Sequence, residues 1–214
     1  MSSGSTSHWK RLEARSGTLF LISGVIVTVY ATAHGIEAAT SMVLEPNPFE
    51  FGYVIGFLGL LGLYPSLAEE RPWLARSGAG AAVLGIVGLS AFTMLHLAEL
   101  GGLVEAGGPA WFIVFVPLPL IGFVIGYLSI GFAVLRGRDR SRTLGVLLLV
   151  PGLIVVGMII SMLTGYSNQQ TAFVVSAGEA MAHLAIGATL RTRSSASTRA
   201  GSSPEGQREP VVHD

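Results

Sequence analysis

Six ionisable side chains stand inside otherwise apolar stretches of this 214-residue chain. They are His34 and Glu37 in "ATAHGIEAA", His96 and Glu99 in "TMLHLAELG", and Glu179 and His183 in "GEAMAH". Residues three or four apart share a helix face, so each pair projects to one side of its helix. Carboxylates at bilayer depth cost several kcal/mol, which drives them toward a bundle interior and toward one another. Imidazole and carboxylate together support three kinds of chemistry. His34, His96 and Glu179 form a two-histidine, one-carboxylate set of the kind that binds zinc or non-haem iron. Glu37 and Glu99 would then stand behind the ligands or accept a proton. Two of His34, His96 and His183 could instead serve as axial ligands of haem. Ala31, Ala33 and Gly35 around the first, and Ala177, Gly178, Ala180 and Ala182 around the last, leave room for a macrocycle. With no cofactor, the same residues make a proton or cation path, as His and Glu chains do in membranes. The structural counterpart of all three is a set of interhelical hydrogen bonds worth about 0.6 kcal/mol each.

These side chains need elements to position them, and the composition specifies which. Half of the residues are hydrophobic and only 12% are charged, about half the charged share of a soluble domain. The formal net charge is zero, so no global field points to nucleic acid. Cysteine is absent, which excludes disulfides, thiolate metal sites, iron–sulfur clusters and a cysteine nucleophile. The only lysine is Lys10, outside every apolar run, so an intramembrane Schiff base is excluded as well.

Hydropathy places six spans, at Thr18–Leu44, Phe51–Ala68, Ser77–Leu103, Ala110–Leu135, Thr143–Gly165 and Thr171–Leu190. In lipid they must be helices, because an isolated strand leaves its backbone unpaired. The expected fold is therefore all-α: a polytopic membrane protein of six transmembrane helices over residues 18–190. Residues 1–17 form a polar cytoplasmic segment, and residues 191–214, rich in Ser, Gly, Pro and charge, a disordered cytoplasmic tail. The first run is too long for a signal-peptide core and is read as a retained helix. Lys10, Arg11, Arg15, Arg71, Arg76, the run "RGRDRSR" and Arg191 and Arg193 fall at one end of the spans, and the three loops at the other end hold no Lys or Arg. The positive-inside rule then puts both termini in the cytoplasm and the chain in the cell membrane.

A weak internal similarity runs through the spans. Arg15, Arg76 and Arg142 each open a Gly-rich odd-numbered helix, and equal distances onward reach His34, His96 and Ser161 or Met162. Three tandem helical hairpins would produce this pattern. Pro117, Pro119 and Pro151 lie inside spans and are expected to kink them. Trp73 and Trp111 are expected as interfacial anchors. "GAGAAVLG" (Gly78 to Gly85) is similar to the Gly-x-Ser-Gly region of rhomboid proteases over eight residues. Gly80 stands there in the place of a nucleophilic serine, and small-residue packing accounts for the stretch.

Depth ties the polar pairs together. His34 lies 11 positions before Glu45, His96 lies 9 before Glu105, and Glu179 lies 9 after Gln170. At the helical rise these three share a level about 14–17 Å from the outer loops, with Glu37 and Glu99 above it and His183 below. One cluster in the outer half follows if helices one, three and six are neighbours. The function expected is a membrane protein of unidentified reaction binding a metal ion or haem at His34, His96, Glu179 and His183. A small proton-coupled transporter or channel, or a non-catalytic accessory subunit, fits the same residues. The lipid bilayer is the one partner the sequence implies.

Overall fold

The computed structural model describes the backbone of residues 3–201, apart from 41, 43, 45–47, 106–107, 138–140 and 167, and side chains within residues 8–193. All elements among the described residues are helical. Six are long and apolar enough to cross a membrane: His8–Thr40, Pro48–Glu70, Pro72–Leu100, Ala110–Leu135, Arg142–Leu163 and Gln169–Arg193. They are called here the first to sixth spans.

The span edges differ from the hydropathy limits for physical reasons. The first helix starts at Ser3, well before Thr18. Charge marks where a helix leaves lipid, not where it stops being a helix, and Trp9 packs on Tyr64 with ring centroids 5.8 Å apart. The same helix ends at Thr40 rather than Leu44. Beyond that end the Leu44 N–H donates to Glu37 Oε1 at 2.8 Å, so the carboxylate takes up a backbone donor past the helix. At the other end of the chain the last helix runs to Gly201. Residues 202–214 of the expected tail, together with Glu45, lie outside the described residues.

Successive spans pack on each other in chain order, and the sixth closes the ring against the first, which is the most extensive helix pair in the molecule. Each hairpin is thus present, but none is a separable unit. The ring also corrects the assumed adjacency. The first and sixth spans are neighbours, whereas the third makes no substantial contact with either, because the second and fourth stand between. Six spans return the chain to the side from which it started. Arg71, Arg136, Arg142 and Arg191 mark that basic end, and the Arg71 guanidinium donates to the Arg136 carbonyl at 3.2 Å across two loops. Trp73 and Trp111 are both well exposed, near the starts of the third and fourth spans and so at opposite ends of the bundle.

The fourth span is not one uniform helix. A narrow 3-10 stretch, Ala110–Phe115, gives way to Pro117–Ile121, then to wide π-type turns over Gly122–Tyr127, and finally to Leu128–Leu135. Pro117 and Pro119 have no N–H to give the preceding turn, so the ladder loses bonds and shifts register just beyond them. Pro151 behaves differently, and the fifth span continues through it as one helix, Arg142–Leu163. Gly85 and Gly122 let the third and fourth spans touch backbone to backbone. A Cβ on Gly122 would lie 2.7 Å from the Gly85 Cα, closer than any side chain allows.

Candidate functional site

All six spans contribute to one cavity of about 200 Å³ toward the end opposite the arginines. Its polar lining includes His34 from the first span, Glu50 from the second and Ser176 and Glu179 from the sixth, and Tyr30, Tyr53 and Phe123 supply aromatic walls. The rest of the surface is largely apolar, with Leu89 and Met158 contributed by the third and fifth spans.

Both carboxylates at the cavity, Glu50 and Glu179, have a buried oxygen without a hydrogen bond among the described residues, but Glu50 Oε1 faces His96 Nδ1 at 2.8 Å. Glu179 is 3% exposed, and the Tyr53 hydroxyl donates a hydrogen bond to the carboxylate. Oε1 of the same carboxylate has no hydrogen-bond partner among the described residues. A buried polar atom left without a partner costs about 1–3 kcal/mol, more if charged, so such an atom in a native fold asks for an explanation.

The two histidines near the cavity are each held by a carboxylate. His34 Nδ1 sits 2.9 Å from Glu37 Oε2. With Leu44 N–H on the other oxygen, Glu37 is a helix-end anchor as well as a partner for the ring. A carboxylate only accepts, so Nδ1 carries the proton in this pair and Nε2 is the nitrogen Glu37 does not hold. His96 Nδ1 lies 2.8 Å from Glu50 Oε1. The two atoms face each other without hydrogen-bond alignment, which leaves an ion pair whenever the ring is protonated.

One helical turn below Glu179, His183 sits in a closed knot. Ser23 donates to the Gly52 carbonyl at 2.7 Å, and its oxygen lies 2.8 Å from His183 Nδ1. A serine has one proton and a carbonyl can only accept, so Nδ1–H must be the donor to Ser23. Nε2 therefore accepts from the Tyr127 hydroxyl at 2.7 Å. Tyr127 belongs to the wide-turn segment of the fourth span, and its ring stacks on the imidazole at 16°. Gly56 packs over the knot: a Cβ there would lie 2.8 Å from His183 Cε1 and 2.9 Å from Ser23 Oγ. Ser23 is no nucleophile, because its proton is committed and the imidazole nitrogen facing it is already protonated.

The residues singled out in the sequence therefore separate into different settings. His34 and Glu179 face one cavity. His96 reaches that cavity only through Glu50, and with Glu99 it lines a second recess of about 380 Å³ between the third and fourth spans. Among the described residues, no three His, Asp or Glu side chains stand close enough together to hold a metal ion. The set His34, His96 and Glu179 is not assembled, because the third span lies across the ring. Haem ligation by His183 fails on a different ground, since both ring nitrogens are spent on Ser23 and Tyr127. Its small neighbours serve helix packing instead: Ala180 and Ala182 are buried in the bundle. Glu37 does not stand behind a metal ligand but ties His34 to the loop.

Comparison with protein families, curated proteins and solved structures gave no match. The site must be read from its own geometry.

Two kinds of residue escaped the sequence reading. Glu50 lies one position before the expected start of the second span, yet it is buried. Tyr30, Tyr53 and Tyr127 lie within spans, where an aromatic ring passes for apolar. A buried tyrosine hydroxyl needs a partner, and mid-span tyrosines were the signal for Glu179 and His183.

Proposed function

We propose that this chain is a small carrier in the cell membrane, which takes a solute into the central cavity and exchanges it against a proton at Glu179. The observation that supports this reading is Glu179 Oε1, buried and without a partner among the described residues, at a cavity to which all six spans contribute. Ionisable groups at such depth mark substrate, ion and proton paths by default. A carboxylate in an apolar surround must be neutralised by a proton or by a bound group, and the cavity admits one or the other at the same oxygen. The titratable neighbours at the cavity are Tyr30 and His34 of the first span and Glu50 and Tyr53 of the second; the third, fourth and fifth spans offer only apolar lining. By the positive-inside rule the arginine-rich end is cytoplasmic, and the cavity belongs to the outer half of the membrane.

The test uses proteoliposomes with an acidic lumen and a trapped pH dye. Small cationic, neutral and anionic solutes are added in turn. At least one solute should release lumenal protons from vesicles with the parent protein, and Glu179→Gln should reduce the rate at least tenfold. Equal rates in the two proteins, or no release with any solute, would remove the carrier reading.

A further inference from the structure

The cavity also specifies the kind of solute, an inference that rests on the carrier reading above. Charge comes first. His34 has Glu37 and His96 has Glu50, so each of these histidines already faces a carboxylate. Among the described residues Glu179 has no cationic counterpart; its one described partner is the neutral Tyr53 hydroxyl. Neither lysine nor arginine is among the described residues that line the cavity. A guest that completes this site brings positive charge.

The walls decide between kinds of cation. A bare metal ion such as sodium or calcium needs several oxygen ligands in place of its water shell, and among the described residues no three His, Asp or Glu side chains are grouped to replace it. Most of the lining is apolar, which suits alkyl groups and not a hydrated ion. Aromatic rings supply the remaining recognition. Tyr30 and Tyr53 stand 5.9 Å apart at 83°, and Tyr53 and Phe123 stand 5.2 Å apart at 84°. All three rings line the cavity, and aromatic walls are what cages for quaternary ammonium groups are built from. Size sets the last limit. At about 200 Å³ the cavity is smaller than the roughly 300–1,000 Å³ of drug-sized pockets, so the guest has only a few heavy atoms beyond its charged nitrogen.

We infer that the central cavity binds a small alkylated ammonium ion, with Glu179 as counter-ion and Tyr30, Tyr53 and Phe123 as its aromatic walls. Proton and ammonium ion are alternative occupants of the Glu179 carboxylate. Each leaves the buried site neutral, and that exclusion couples their movements in opposite directions.

The experiment is equilibrium binding to the full chain purified in detergent, by calorimetry, with tetramethylammonium as the probe. Tert-butanol serves as a neutral probe of similar shape and sodium as an inorganic cation. Saturable binding of tetramethylammonium is expected, with no binding of tert-butanol or sodium at the same concentrations. Glu179→Gln should weaken binding at least tenfold. Phe123→Leu, which keeps the carboxylate and removes one ring, should weaken it roughly two- to thirtyfold, the range of a cation–aromatic contact. Both variants are used only if they elute as the parent does; if Glu179→Gln fails this control, Phe123→Leu decides. Equal binding of tert-butanol, preference for sodium, or no tetramethylammonium binding would overturn the assignment. Binding without any proton-coupled flux would remove the carrier reading and leave the ligand class standing. Flux of another solute without tetramethylammonium binding would do the reverse.

Discussion

Glu179 and His183 sit one turn apart on the same helix, both buried, yet their surroundings are opposite. The imidazole of His183 has a partner on each nitrogen, a stacked tyrosine on one face and a glycine pressed against its edge. The carboxylate of Glu179 has a partner on one side and a cavity on the other. Burial alone does not separate a structural polar group from a functional one. What separates them is whether every donor and acceptor is spent. A closed network in a low-dielectric interior rigidifies the fold, whereas an open valence beside a cavity is left for something that comes and goes.

If this contrast is right, breaking the knot should damage the fold, and the largest effect should come from its centre. His183→Ala removes a fully buried ring and strips Ser23 and Tyr127 of a partner. The cavity and the lost hydrogen bonds together should destabilise the protein by about 3 kcal/mol or more. Unfolding in mixed micelles of rising denaturing-detergent fraction measures this, and a change under 1 kcal/mol would show that the knot does not hold the bundle. Gly56→Ala should come next. It leaves all the polar groups in place and pushes a methyl against His183 and Ser23, an overpacking cost of about 1–3 kcal/mol. Gly157→Ala is the matched control, since a Cβ there meets nothing within 4 Å. If the two substitutions cost the same, the effect comes from the backbone and not from the knot.

How much of this was legible in the sequence follows from which physical signals are local. Six apolar runs of spanning length, and basic residues gathered between alternate pairs of them, are local patterns, and the six helices appear where those patterns lie. Ring order is not local. Nothing in "TMLHLAELG" states that the third span packs beside the second and fourth, so depth alone groups His96 with His34 and Glu179, whereas it faces Glu50. Equal depth brings residues together only on adjacent helices, and the third span is adjacent to neither the first nor the sixth. His183 shows a different gap. Its residue type marked it as polar and buried, but whether a histidine is spent or available depends on Ser23 and Tyr127, which lie 160 and 56 positions away. Tyr127 reaches it from a wide turn that Pro117 and Pro119 announce only as an interruption.

The smallest effect on stability should come from Glu179→Gln, the substitution with the greatest expected effect on flux and binding. Gln keeps a carbonyl oxygen for the Tyr53 hydroxyl, so the one described hydrogen bond of this side chain has a replacement. Oε1 has no partner to lose, and the change removes the requirement that a buried carboxylate be neutralised. The new amide N–H groups face the cavity, where they replace one unpartnered atom by another. The net change should stay within about 1 kcal/mol, against about 3 kcal/mol or more for His183→Ala one turn away. A bound cation adds to this contrast by mass action. At one hundred times its dissociation constant, tetramethylammonium should stabilise the parent by about 2.7 kcal/mol and leave the Gln variant almost unmoved. The same unfolding titration, run with and without the ion, reads both quantities. If Glu179→Gln proves as damaging as His183→Ala, the carboxylate is part of the scaffold and the two halves of the polar core do not differ in kind.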